Sequence, residues 1–240
     1  MIGTLLNAGA ILGGGFFGVS SKKDLSQHNQ LRLKGLLGAL TVYVGLNTVW
    51  VSVNGSVPRV IKQLGIVLLA LLAGNATGRL LRLQKAVSHL GHSAAAKFSK
   101  AANSKRFHNT NEALAICAVF FCVSPMSVLG AVQDGLAGDC RTLAIKAALD
   151  GFSAVAFARV LGGGVLLSAI PVLAWQGTLT LLFAALKPWL EGHHLLDAIL
   201  ATAGLLTTLL CLVIFDVKKV PMADYLPSLI YAPLITAWWR

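Results

Sequence analysis

Residues 195–215 read L-L-D-A-I-L-A-T-A-G-L-L-T-T-L-L-C-L-V-I-F, a run whose one charged residue is Asp197. A helix needs about 20 mostly apolar residues to cross the hydrocarbon core of a bilayer. Lipid offers no partners for backbone N–H and C=O groups, so such a run satisfies them within itself, as a helix. Working outward, similar runs lie at 2–19, 35–53, 60–78, 113–133, 141–159, 164–186 and 225–239. The sequence therefore predicts an all-α, polytopic membrane protein with about eight spans. The alternative has seven, with 225–239 lying in the interface. Charged residues make up only 12% of the 240, and 56% are hydrophobic. A soluble domain carries about 25% charged residues. This excludes a disordered chain and an ordinary soluble enzyme, and four cysteines are too few for a disulfide scaffold.

The first run has no basic segment before it, and Lys22 and Lys23 follow it. It is expected to be a permanent helix rather than a signal peptide. Lys22, Lys23, Arg32 and Lys34 separate spans one and two. Seven more basic residues lie between Arg79 and Arg106, Arg159 follows span five, and Lys218 and Lys219 follow span seven. All of these fall on one side of an eight-span arrangement. Arg59, Lys187, Arg240 and, nearer the boundary, Lys62 and Arg141 fall on the other. The positive-inside rule then places the basic loops in the cytoplasm and both termini outside. Trp50, Trp189, Trp238 and Trp239 sit near the outer ends of their spans, where aromatic residues favour the interface. The net charge of +11 is thus read as contact with anionic lipid headgroups, not nucleic acid.

G-T-L-L-N-A-G-A-I-L from Gly3 is echoed by G-V-L-L-S-A-I-P-V-L from Gly164, pairing Asn7 with Ser168. Val57-Pro58 before span three is echoed by Val220-Pro221 before span eight. Spans one to three (1–78) are expected to repeat as 164–239, with a basic cytoplasmic loop at 79–110 and two central helices within 113–159. Opposite entry directions make the repeat inverted, an arrangement common in secondary transporters. Gly9-x-x-x-Gly13, Gly14-x-x-x-Gly18 and Gly74-x-x-x-Gly78 are small-residue faces for close helix packing, within the chain or between copies in a homo-oligomer.

The chemistry concentrates in 122–151, C-V-S-P-M-S-V-L-G-A-V-Q-D-G-L-A-G-D-C-R-T-L-A-I-K-A-A-L-D-G. Pro125 should kink span four. Lys146 and Asp150 lie one turn apart on one helix face and can pair. An unpaired charge at membrane depth costs about 2.5–3.5 kcal/mol even on the lenient insertion scale, so these residues must face protein or water. One reading takes Asp134 and Asp150 as carboxylates for a cation or a proton. The other takes Lys146–Asp150 as a structural pair and Asp134 or Asp139 as a helix cap. Gln176, with Ser168 and Thr180, adds polar groups to span six. The proposed pathway comprises Asn7, Asp134, Lys146, Asp150, Ser168 and Gln176.

In this segment and around it the chain resembles the bacterial YqgA/YdfK-type membrane proteins, a family of unknown function. The resemblance rests on G-T-L-L-N-A at 3–8, S-P-M-S-V-L-G-A-V-Q-D-G at 124–135 and G-D at 138–139. It continues with K-A-A-L-D-G at 146–151, G-V-L-L-S-A at 164–169 and Q-G-T-L-T at 176–180. It implies a protein of the bacterial inner membrane, of a kind often described as a transporter, and supplies neither substrate nor functional residues. It is weakest at 86–110.

Other signals are weaker. Residues 79–108 are basic and partly amphipathic, with His89, His92 and His108, and read as a positive-inside loop. Glu191, His193, His194 and Asp197 lack the H-E-x-x-H spacing of a zinc enzyme. No C-x-x-C or G-x-S-x-G occurs. No metal, cofactor or enzymatic activity is expected. The expected function is transport of a small ion or solute, and the alternative is a non-transporting membrane scaffold.

Overall fold

The computed structural model describes residues 1–20, 27–53, 55–102 and 110–239. Lys22, Lys23, Lys105, Arg106, His108 and Arg240 lie outside the described residues. All regular structure described is helical: α1 (Ile2–Ser20), α2 (Gln27–Ser52), α3 (Val57–Leu80), α4 (Leu83–Ala102), α5 (Thr110–Cys122), α6 (Pro125–Ala137), α7 (Arg141–Leu161), a 3-10 segment (Gly162–Ser168), α8 (Ala169–Gly192), α9 (Leu196–Ile214), α10 (Met222–Tyr225) and α11 (Ser228–Trp238).

Five helical stretches are long and apolar enough to cross a membrane: Ile2–Ser20, Leu31–Ser52, Val57–Leu80, Arg141–Gly192 and Leu196–Ile214. A sixth is the pair α5 and α6, bent by 62° at their junction. The fourth stretch holds 52 residues. Straight, it would measure about 78 Å at 1.5 Å per residue, more than twice a bilayer core. It doubles back instead. Gly3 faces Leu143, Gly14 faces Gly151 and Gly18 faces Ala158, so α1 and α7 run in the same direction. Gly15 faces Leu166, Asn7 bonds Gln176 and Thr4 bonds Thr180, so α8 runs opposite to α1. The reversal occurs at Gly162, whose φ of +74° a side chain would resist, and in the 3-10 segment after it. The expected spans 141–159 and 164–186 are therefore the two arms of one hairpin, with α1 between them.

The expected eighth span is not a continuous helix. Residues 222–238 form α10 and α11, and the longer of the two has only 11 residues. Neither helix is long enough to cross a bilayer alone, but together they run along α3 from Gly78 to Lys62. The expected loop at 79–110 also differs, because most of it is helix α4. Val87, Gly91, Ala94, Phe98 and Ala101 recur at helical spacing along its less exposed side, while Lys85, His89, His92 and Lys100 are exposed. A small-residue stripe packs onto α5 and α7, and the polar face keeps the mean hydropathy of a loop.

Two further antiparallel pairs complete the packing. Gly38 of α2 faces Phe215 just beyond α9, and Gly45 faces Gly204 and Thr208. On α3, Gly74 faces Ser228, Gly78 faces Asp224 and Lys62 reaches the Trp239 carbonyl at 2.6 Å. At Gly14, Gly18, Gly74 and Gly78 an added methyl would collide with a neighbouring backbone. Gly9 and Gly13 face nothing within 4 Å. One apolar core joins α2, α3, α6 and α9 through residues such as Val44, Val67, Leu129 and Leu206. A second joins α1, α5, α7 and α8 around Ile11, Phe121 and Val172. Phe16, Ile61, Leu68, Ile170, Leu181 and Ile230 remain exposed on the outer surfaces of the helices, as suits lipid-facing positions.

Candidate functional site

The break between α5 and α6 follows from one residue. Pro125 has no N–H to donate to the Phe121 carbonyl, and it pushes the preceding residue into extended backbone. Ser124 accordingly has φ −61° and ψ 130°, an extended conformation that departs from the helix in ψ alone. Pro125 then opens α6 in its first turn, where a missing donor costs nothing.

Beside the break lies the buried ion pair. The Lys146 ammonium donates to Oδ2 of Asp150, and the two residues are only 1% and 7% exposed. Cys122, the last residue of α5, lies near the pair. The Asn7 amide from α1 also bonds the Asp150 carboxylate. Asn7 Nδ2 donates to Gln176 Oε1 at 3.1 Å, and Gln176 Nε2 donates to Ser127 Oγ at 2.9 Å. One polar chain, Lys146–Asp150–Asn7–Gln176–Ser127, thus links α7, α1, α8 and α6. Asn7 Oδ1 is buried and has no hydrogen-bond partner among the described residues. A buried acceptor left unpaired costs about 1–3 kcal/mol, so this oxygen is the polar atom of the chain most in need of a donor.

A cavity of about 360 Å³ reaches this region from the end of the molecule that carries Lys34 and Gln84. Its wall includes Ser124, Pro125 and Met126 at the break, and Leu149 next to Asp150. The arrangement therefore combines an interrupted helix, a buried ion pair and an approach from one side.

Of the six residues expected to line a pathway, four come together: Asn7, Lys146, Asp150 and Gln176. Asp134 stands elsewhere. It accepts the Gly3 N–H at 3.1 Å and lies 3.0 Å from the Met1 amino nitrogen, so it caps the start of α1. A carboxylate there offsets the unpaired N–H groups and positive end of the helix. Ser168 is also apart, donating to the Val165 carbonyl at 2.6 Å within its own turn. Asp139 pairs with Arg141 at 2.7 Å. The sequence reading passed over Ser127, whose signal was its place in the first turn after Pro125. It also passed over Gln133, fully buried in α6, which donates to Thr207 Oγ1 at 3.0 Å and accepts from Thr142. A glutamine in an otherwise apolar helix marks such a junction. Glu191, His193, His194 and Asp197 form no metal-sized cluster among the described residues.

A family profile described as "Protein of unknown function (DUF554)" matches residues 2–237. The chain is 28% identical over 235 residues to the "Uncharacterized membrane protein YdfK" of Bacillus subtilis (strain 168), covering 98% of this chain and 95% of that protein. It is 29% identical over 239 residues to the "Uncharacterized protein YqgA" of Escherichia coli (strain K12), covering 99% and 97%. No solved structure matches. The all-helical fold, the long apolar helices and the match along almost the whole chain lead to one assignment: this polytopic helical membrane protein belongs to the DUF554 family.

Proposed function

We propose that the chain is a transporter of a small ion or solute in the bacterial inner membrane, and not an enzyme. The observation that carries this reading is the α5–α6 break set beside the buried Lys146–Asp150 pair. Discontinuous membrane helices supply binding groups in many transporters, and ionisable residues at membrane depth are retained there for function. In the proposed cycle a proton neutralises Asp150, which loosens its hold on Lys146. The freed ammonium, the unpaired Asn7 carbonyl and the backbone at the break then form a polar site for the cargo. Loss of the proton re-forms the pair and expels it.

Three antiparallel pairs support an inverted repeat of 1–78 and 164–239: α1 with α8, α2 with α9, and α3 with α10 and α11. A pseudo-two-fold axis in the membrane plane relates repeat partners in this way. The charge asymmetry supports an orientation with α4 on the cytoplasmic side and both termini outside. One observation favours the second reading, a non-transporting scaffold. The open Gly9–Gly13 face of α1 is free to pack against another copy. Flux into proteoliposomes separates the two: transport expects uptake of at least one member of a broad ion and solute panel, and the scaffold expects none.

A further inference from the structure

The end of the molecule opposite the basic helix α4 holds a second cavity, of about 530 Å³, that the pathway described above does not use. The N-terminal halves of α3 and α9 line it, together with Ser52 at the end of α2 and Thr236 near the end of α11. Arg59 and Lys62 stand in the first two turns of α3, with His194 and Asp197 across from them at the start of α9. These two cations are among the few basic residues on a face that is otherwise poor in positive charge. Ile66 and other apolar side chains form the floor. Gln63, on the same helix, contributes a buried Oε1 that has no hydrogen-bond partner among the described residues.

The geometry points to a binding site for a small monocarboxylate that also carries a hydrogen-bond donor, such as a short α-hydroxy acid. The inference rests on the transport reading for its purpose, as the site where cargo is first selected, but not for its chemistry. A guanidinium and an ammonium favour an anion, and an Arg fork matches the two oxygens of a carboxylate. Arg59 and Lys62 outnumber the one carboxylate of the lining, Asp197, which suits a single negative group. Gln63 Oε1 requires a donor from whatever enters. The apolar floor suits a short hydrocarbon body and disfavours a bare inorganic ion.

The test is calorimetric binding to the purified full-length protein in lipid nanodiscs, with lactate, propionate and lactamide as probes. They present both features, the carboxylate alone and the donor without the charge. Lactate is expected to bind about tenfold more tightly than propionate, the effect of about 1.4 kcal/mol from one added hydrogen bond, and lactamide not to bind. Arg59→Gln should weaken both acids at least about tenfold. Gln63→Leu should reduce lactate to the affinity of propionate and leave propionate unchanged, and Lys218→Gln, at the other end of the molecule, should change nothing. Equal binding of lactamide and lactate, undiminished binding by Arg59→Gln, or no binding of either acid overturns the site. Binding without any flux removes the transport reading and keeps this one. Flux without binding does the reverse.

Discussion

Asp150 is held at once by an ammonium and an amide, and each contact has its own consequence. Removing only Lys146 leaves a buried carboxylate without its counter-charge, which typically costs 3–5 kcal/mol in folded proteins. Lys146→Ala is therefore expected to lower the thermal midpoint sharply in detergent. Replacing both members by leucine should restore most of the stability, because an apolar substitute for a whole buried pair is often tolerated, yet it should abolish flux. Asp150→Asn keeps the shape and loses the charge, so a monodisperse but transport-inactive protein is expected. Asp134 gives the contrasting case. As a cap of α1, Asp134→Asn should cost about 1 kcal/mol in a denaturation curve and leave flux intact. A flux loss in Asp134→Asn as deep as that in Asp150→Asn would return Asp134 to the pathway. The sequence showed that Lys146 and Asp150 share a helix face, because that needs only a spacing of four. It did not separate Asp134 from them, because the contact of Asp134 with Gly3 spans 131 positions along the chain.

Among the elements, the broken helix is the one whose geometry matters most. Pro125 was readable as a kink, since a missing N–H acts locally. The size of the bend and its position beside α7 were not, because tertiary packing sets both. Pro125→Ala restores the donor and should allow α5 and α6 to approach one continuous helix. Lower flux with unchanged or raised thermal stability is the expected outcome, read by proteoliposome uptake alongside a melting curve. The long apolar helices α1, α2, α3 and α9 were legible from hydropathy alone. Helix α4 was not, because its buried stripe of Gly, Ala and single Val and Phe residues is masked by lysines and histidines. The hairpin of α7 and α8 was legible as two spans, since the glycines at 162–164 interrupt the pattern. The final span, 225–239, is apolar enough, but Pro227 stands at the junction of α10 and α11, so the segment is broken and does not build one long helix. Close packing at Gly78 leaves no room beside Asp224, so Gly78→Leu should prevent α3 from seating against α10 and reduce the yield of folded protein.

For the whole molecule, the fold class followed from apolar length, whereas the three antiparallel pairings appeared only once the helices were placed. Their common sense of direction ties the proposed orientation to the proposed repeat. A C-terminal reporter active only in the periplasm should therefore give a signal, and one active only in the cytoplasm should stay silent. The opposite pattern would invert the assignment of both cavities. The central claim is that the pair beside the break couples movement of a proton to movement of cargo. Its most direct test is uptake into proteoliposomes carrying an internal pH indicator, with wild-type protein and Asp150→Asn compared at equal incorporation. The account predicts that a member of the solute panel drives a pH change through the wild-type protein and none through the variant. Equal pH changes with both proteins would contradict it.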